Sequence, residues 1–267
     1  MRAQTYIRRW GLEPDGEPFA THSSDLCPVR WQGRKAMLKV ARSEEERRGN
    51  LLMVWLGGVG AAQVYRQGRR AVVLERVEGA HDLMAMVAAG QDDDASRILC
   101  QAAAQVHLPR PDPPRQLLPL DWWFEALFDA STQSDLFAQC WRVAQTLLAS
   151  PRDVRPLHGD LHHGNVLHSA ERGWLVIDPK GLIGERTFDF ANMLCNPSLE
   201  VATQPGRLAR QAGVLAAAAG LDHARLLAWV AAYAGLSAAW HTEEDQTDMA
   251  RQTLEVAQEA LRLSPAL

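Results

Sequence analysis

The sequence predicts an α+β protein in two parts: an antiparallel sheet within residues 1–78 and a larger, mainly helical part over residues 79–267. Three observations carry this. Between residues 20 and 76, short apolar and β-branched runs are split by tight turns at Gln32-Gly33 and Gln67-Gly68, the pattern of hairpins. After Gly79 the apolar residues recur at helical spacing, and alanine crowds the last third. One further hairpin interrupts the helical part: Val166-Leu167, a polar turn from Ser169 to Gly173, then Trp174-Leu-Val-Ile177.

Composition bounds the function classes. The 267 residues suffice for a substantial core, and an apolar content of 47% is ordinary for a soluble globular chain. A net charge of −4 gives neither nucleic acid nor an anionic membrane an electrostatic hold. Cys27, Cys100, Cys140 and Cys195 are scattered with no CxxC pair, which argues against a disulfide framework or a zinc ribbon and fits a reducing cytoplasm. The first residues, MRAQTYIRRWGLEPDGE, contain no apolar secretory segment. The longest apolar run, Leu226 to Trp240, is shorter than the ~20 residues of a membrane span and reads as a buried helix.

In chain order, residues 1–20 are polar, carry Pro14 and Gly16, and read as a strand or an extended arm. THSSDLCPVRWQGRKAMLKVA then reads as strand, small-residue turn, strand, turn, strand. Its first turn offers Ser23 and Ser24, whose hydroxyls and main-chain N–H groups suit phosphate oxygens or serve as an ordinary surface turn. Lys39 is the one charge in the apolar run Met37-Leu38-Lys39-Val40, so it either snorkels from an edge strand or finds a buried partner. The next helix starts near Ser43, where SEEE is an N-terminal signature, and Glu44, Glu45 and Glu46 compete to be that partner. The helix runs to about Trp55 and ends at Gly57-Gly58-Val59-Gly60. That cluster is no dinucleotide motif, because it follows a helix and lacks the third glycine. Strands 62–66 and 71–76 complete the sheet.

Helices follow over 81–89 and 96–108, then a proline-rich connector over 109–119, then helices over 120–130 and 134–150. Beyond the second hairpin, residues 181–192 read as a loop entering a helix, and residues 200–267 as three helices over 207–219, 224–239 and 245–263. The joint Trp240-His-Thr-Glu-Glu-Asp245 is acidic and aromatic. It reads equally as a solvated turn or, through Trp240, Glu243, Glu244 and Asp245, as a place for a cationic ligand.

The chemistry concentrates in LHGDLHHGNVLHSAERGWLVID, residues 157–178. Asp160 stands five residues before Asn165, and Asp178 ends the second strand of the hairpin. One proton acceptor and two oxygen ligands for a divalent cation are what phosphoryl transfer needs, and Mg²⁺ prefers such oxygen donors. His158, His162, His163 and His168 offer a second reading as a metal site, but no Cys or carboxylate spacing completes a zinc motif.

HGDLHHGN resembles the catalytic loop of the aminoglycoside phosphotransferase family, HGD with an Asn five residues after the Asp. GWLVIDPKGLIGERTFDFANMLCNP is similar to the streptomycin 6-kinase branch, the aminoglycoside/hydroxyurea antibiotic resistance kinases, in which the metal Asp is followed by Pro, a variable residue and Gly, as in Asp178-Pro179-Lys180-Gly181. The match is specific over 157–197 and weaker out to Lys39 and Ser237–Trp240.

The resemblance implies a bilobal protein-kinase-like fold: a nucleotide-binding lobe over 1–78, then a helical lobe holding the catalytic loop and, in 200–267, the acceptor-binding part. It implies ATP and Mg²⁺ as cofactors, Asp160 as the base, and Asn165 and Asp178 as metal ligands. Lys39 would meet the α- and β-phosphates, with Glu46 as its partner. Main-chain groups of Glu75 and Val77 would hold adenine. Asp189 would brace the catalytic loop, and Glu185 is the candidate nearest the acceptor. The acceptor would be a small hydroxyl compound, cationic if streptomycin-like. A metabolite kinase and a non-catalytic nucleotide-binding protein on the same fold are the alternatives.

Overall fold

The computed structural model describes residues 2–264. The first departure from expectation is at the start. Arg2–Trp10 form helix α1, followed by the two-residue strands β1 (Glu13–Pro14) and β2 (Phe19–Ala20). Ala3, Ile7 and Trp10 share one face of α1 and pack with Leu12 on Val29, Leu38 and Val73 of the sheet's outer side. Arginines between those positions conceal the apolar stripe from a reading by composition.

The sheet itself follows the sequence closely. Strand β3 (Ser24–Trp31) pairs antiparallel with β4 (Arg34–Ala41), with Leu26 opposite Lys39. Gln32 and Gly33 both take positive φ (51° and 77°), the backbone a two-residue hairpin demands. Helix α2 (Glu44–Leu56) is capped by the Ser43 hydroxyl, which accepts from Glu46 N–H, and ends at Gly57 in the left-handed region. Strands β5 (Val64–Gln67) and β6 (Ala71–Glu75) complete the order β1-β3-β4-β6-β5, with β2 beside β3.

The helical part begins with α3 (Leu83–Ala88) and α4 (Asp92–Val106). After the connector come β7 (Leu118–Pro119), α5 (Leu120–Trp123), α6 (Glu125–Ala130) and α7 (Asp135–Ala149). Strand β8 (Val154–Leu157) leads to the hairpin of β9 (Val166–Ser169) and β10 (Gly173–Val176). Residues 181–192, read as a loop, instead contain strand β11 (Leu182–Glu185) before α8 (Phe188–Leu194). Strand β11 lies between β7 and β8, with Leu182 opposite Leu118 and Leu157.

Helices α9 (Leu199–Ala202), α10 (Arg207–Ala219), α11 (His223–Glu243) and α12 (Thr247–Leu263) close the fold. Helix α11 is the axis of the core: Leu226 to Leu236 are buried on every side, among α6, α7, α8 and α12. It runs past the expected end at Ala239, so Trp240 to Glu243 are helical rather than part of a turn. No helix among the described residues is long and apolar enough to cross a membrane.

The two parts are joined through the hairpin. Val176 N–H donates to Gly60 C=O (2.9 Å), and Ala62 N–H donates to Val176 C=O (3.1 Å). Leu52, Met53, Leu56, Val72 and Leu74, on the inner side of the sheet part, belong to the same apolar cluster as the helical core. The segment carrying Asp178 is thereby tied to the sheet carrying Lys39.

Candidate active site

Lys39 projects from β4 into a charge cluster in which it and Glu46 are buried and Asp178 is partly exposed. Its ammonium contacts Glu46 on the first turn of α2 and Asp178 just beyond β10. The structure selects among the three glutamates: Glu44 turns outward to Arg47 and Arg70, Glu45 meets Lys180 at 3.1 Å, and Glu46, 1% exposed, takes Lys39. The Ser23 and Ser24 hydroxyls, expected at phosphate oxygens, donate instead to the two Glu46 carboxylate oxygens (2.9 Å each). A buried carboxylate needs every lone pair matched, and these hydroxyls lie within reach of Glu46.

Burial alone pushes the Glu46 and Asp178 carboxyls up. The adjoining Lys39 ammonium more than offsets this, and Lys180 adds to it, leaving both below the ordinary carboxylate range. For Lys180, burial works against the charged form, but the carboxylates of Asp160, Glu45, Asp178 and Glu46 outweigh it and raise the pKa.

Asp160 is held differently. Its Oδ1 accepts from Asn192 Nδ2 (2.9 Å), and its Oδ2 and main-chain carbonyl both accept from Asn165 Nδ2 (3.2 and 2.8 Å). Because the Asn165 amide nitrogen is turned toward Asp160, its Oδ1 is left for a cation. Asn192 is itself held by Asn196, whose Nδ2 donates to Asn192 Oδ1 (2.8 Å). The nearest cationic side chain, Lys180, stands off at 3.8 Å (Nζ to Oδ2); His162 Nε2 lies 3.7 Å from Oδ1, but its Nδ1 accepts from Gly164 N–H, so the ring is neutral.

The loop around Asp160 is fixed from below. Asp189 is fully buried and accepts from Gly159 N–H (2.7 Å), His158 N–H (2.9 Å) and His107 Nε2 (2.8 Å). Burial raises its carboxyl, and the His107 hydrogen bond leads the interactions that bring it below its ordinary value. His158 Nδ1 accepts from Asp160 N–H (3.2 Å) while Nε2 donates to Ile177 C=O (2.8 Å), which defines a neutral ring; burial holds its pKa down. Lys180 N–H to His158 C=O (2.7 Å) and Ile177 N–H to Asn165 C=O (2.9 Å) lace the Asp160 loop to the Asp178 turn. Asp178 adopts φ +59°, a left-handed backbone that Asp tolerates better than most residues.

That turn lies backbone to backbone against α2. A Cβ on Gly49 would overlap the Pro179 carbonyl oxygen, and one on Gly181 (φ +71°) would lie 2.8 Å from the Arg48 carbonyl group. The glycine of Asp178-Pro-Lys-Gly181 is therefore demanded by the close approach of the helix that carries Glu46.

On its other side Asp160 opens onto a cavity of about 240 Å³, lined also by His162, Asn192, Tyr233, Ser237 and His241. Burial, followed by the charge of Asp160, raises the Tyr233 phenol well above its ordinary pKa.

Other expected site residues lie elsewhere. Glu185 does not face this cavity: it is 1% exposed, ion-paired with Arg225, and accepts from Arg152 N–H (3.0 Å). Trp240 is half-buried, edge-on to Trp123 at 5.3 Å, while Glu243, Glu244 and Asp245 are exposed at the end of α11; none of the four lines the cavity. Glu75 N–H is taken by Gln63 C=O (2.8 Å), whereas Val77 N–H has no backbone partner among the described residues. The four histidines diverge: His158 braces the loop, His162 caps Gly164 N–H, His163 is buried, and His168 packs on His81 and Trp174.

A family model described as aminoglycoside/hydroxyurea antibiotic resistance kinase matches residues 9–245. The chain belongs to this family. A streptomycin 3''-kinase of Klebsiella pneumoniae is 49% identical over 239 residues, covering 88% of this chain and 90% of that one. A streptomycin 6-kinase of Streptomyces griseus is 29% identical, covering 94% and 86%. Among solved structures, a thermostable mutant of aminoglycoside phosphotransferase APH(4)-Ia, in ternary complex with ADP and hygromycin B, has the same fold. Its TM-score is 0.68 at 15% identity, covering 99% of this chain and 98% of that one. The antibiotic resistance kinases are phosphotransferases with an alcohol acceptor, and the fold is the bilobal, protein-kinase-like one that the motifs imply.

Two residues of this kinase site carry no role in the reading of its sequence. Asn192 is a lone amide in the otherwise apolar stretch Phe190–Leu194, and a buried amide must find a partner, which here is Asp160. Lys180 sits in plain view inside Asp178-Pro-Lys-Gly181.

Proposed function

We propose that this protein is an ATP- and Mg²⁺-dependent streptomycin O-phosphotransferase. The observation that carries the reading is the position of Asp160, which lines a cavity, is held by Asn165, and is linked through Lys180 to the Glu46–Lys39–Asp178 cluster. In that arrangement Asp160 orients the acceptor hydroxyl and takes its proton. Asn165 Oδ1 and the Asp178 carboxylate offer hard oxygen ligands for Mg²⁺, which when bound neutralises charge on the phosphates. Lys39, held by Glu46 and through it by Ser23 and Ser24, meets the phosphates. Main-chain groups of Glu75 and Val77 meet adenine. Positioning and electrostatics supply the rate, since little covalent chemistry is asked of the side chains.

Identity to the 3''-kinase, at 49% against 29% for the 6-kinase, favours the 3''-hydroxyl as acceptor over the 6-hydroxyl that the motif resemblance suggests. Streptomycin carries guanidinium groups, and the exposed acidic residues Glu243, Glu244 and Asp245, just beyond the cavity residue His241, suit a cation approaching that cavity. The dependence on ATP and the free cysteines Cys27, Cys100, Cys140 and Cys195 support a cytoplasmic location.

The test is ATP consumption with streptomycin, followed by assignment of the phosphorylated hydroxyl by phosphorus–proton NMR. Asp160→Ala is expected to lower turnover about 10³-fold while leaving MgATP binding within a few-fold. Near wild-type turnover in that variant would remove the proposed base. ATP consumption with hydroxyurea or a metabolite alcohol, but not with streptomycin, would transfer the reading to that acceptor.

A further inference from the structure

We propose that Lys180 is a catalytic residue whose ammonium contacts the phosphoryl group during its transfer; this rests on the roles given above to Asp160 and Asp178. Its Nζ lies 3.8 Å from Asp160 Oδ2 on one side, and 3.6 Å from Glu46 Oε1 and 3.1 Å from Glu45 Oε1 on the other. Glu46 in turn holds Lys39, which holds Asp178. Lys180 thus spans the space between the acceptor carboxylate and the phosphate-binding cluster, which the phosphoryl group must cross.

Two features separate this from an ordinary structural ion pair. First, the ammonium is loosely engaged: its side chain is 17% exposed and no carboxylate oxygen approaches closer than 3.1 Å. An ammonium with three hydrogens and no short contact is free to turn to a stronger anion. Second, its backbone is tightly fixed. Lys180 N–H donates to His158 C=O at 2.7 Å, Gly181 lies against the Arg48 backbone, and a Cβ on Gly159 would come within 3.1 Å of Lys180 Cβ. The fixed backbone anchors the root of the side chain beside the Asp160 loop, and the four-carbon stem lets the ammonium turn from the carboxylates to the phosphoryl oxygens.

In the transfer step the acceptor oxygen forms a bond to the γ-phosphorus as the bond from that phosphorus to the β,γ-bridging oxygen breaks. The hydroxyl proton passes to Asp160, and the bonding electron pair leaves with ADP. Lys180 stays protonated throughout. It donates hydrogen bonds to the non-bridging oxygens, and among the described residues its ammonium is the cationic group nearest Asp160. Before nucleotide arrives, the same ammonium offsets the charge of Asp160.

The test compares wild type with Lys180→Met and Lys180→Arg. The readouts are kcat and KM, and the affinities for MgADP alone and for MgADP with aluminium fluoride, a mimic of the phosphoryl in flight. The Met variant is expected to lose about 10²–10³ in kcat with the KM for ATP changed less than about threefold. It should lose affinity for the aluminium fluoride complex by a similar factor, with MgADP affinity unchanged. The Arg variant should recover at least tenfold of the loss. A Met variant with kcat within about threefold of wild type would overturn the proposal. So would equal loss of affinity for MgADP with and without aluminium fluoride, which would mark Lys180 as a nucleotide-binding or structural residue. Aluminium fluoride binding requires no acceptor, so this result stands whether or not streptomycin is the substrate.

Discussion

The two halves of the site hold their carboxylates by opposite means. On the acceptor side Asp160 is gripped by neutral amides, Asn165 and Asn192, with the nearest cation, Lys180, 3.8 Å away. On the phosphate side Glu46 and Asp178 sit in direct contact with Lys39. The difference follows from what each group is asked to do. A carboxylate that takes a proton is best oriented by neutral donors, because a cation in contact favours its ionised form. A carboxylate that binds a cation needs only its charge, and the Lys39 ammonium holds the partly exposed Asp178 carboxyl below its ordinary range. One half is built for orientation and the other for charge compensation, and variants can separate them.

The largest effect is expected from breaking the charged half. Lys39→Met removes the ammonium and leaves Glu46, 1% exposed, without its principal counter-charge. Removing one partner of a buried pair costs about 3–5 kcal/mol, and urea denaturation should show a loss of that order together with lost MgATP binding. The double variant Lys39→Met/Glu46→Leu removes both charges and should regain at least half of the lost stability while staying inactive. A loss below about 1 kcal/mol in the single variant would mean that the Lys39 charge does not sustain the cluster.

A smaller effect should come from moving the charged half without discharging it. Gly49→Ala places a methyl against the Pro179 carbonyl, so α2 and the Asp178 turn must separate. Overpacking of this kind costs about 1–3 kcal/mol. Misplacement near 1 Å costs about 10²-fold in rate, which should appear in kcat/KM for ATP while the acceptor KM moves less than about threefold. An equal rise in both KM values would mean that the two halves move as one body.

How much of this was legible depended on how local each feature is. Lys39, Asp160, Asn165 and Asp178 stand in short runs whose residue types announce a charge among apolar neighbours or a turn, and in the fold Lys39 meets Asp178 while Asn165 meets Asp160. Glu185 failed because its partner is Arg225, forty residues on, which nothing local signals. Strand β11 was missed because four residues are too few to show alternation, and its pairing with β7 and β8 is long-range. Helix α1 hid its apolar face among arginines. The polar end of α11 looked like a turn, yet no Gly or Pro breaks the helix there and the Thr242 hydroxyl bonds back to Ala238 C=O (2.9 Å). Ser23 and Ser24 were expected at phosphate oxygens because their partner Glu46 lies on another element.

The mildest change tests the neutral half alone. Asn192→Ala removes one amide donor from Asp160 Oδ1 but leaves Asn165 on Oδ2, and no charge is gained or lost. The carboxylate keeps its place in the fold, since Asp189 still holds the loop through Gly159 and His158. What it loses is one constraint on its rotation toward the cavity. Turnover should fall about tenfold, equal to ~1.4 kcal/mol in the barrier, with MgATP affinity and thermal stability nearly unchanged. The contrast with Lys39→Met is the point: the charged half should fail first in binding and folding, the neutral half in kcat alone. If Asn192→Ala instead weakened MgATP binding as strongly as it lowered turnover, Asn192 would belong to the phosphate side, and the division of the site into an orienting half and a compensating half would be wrong.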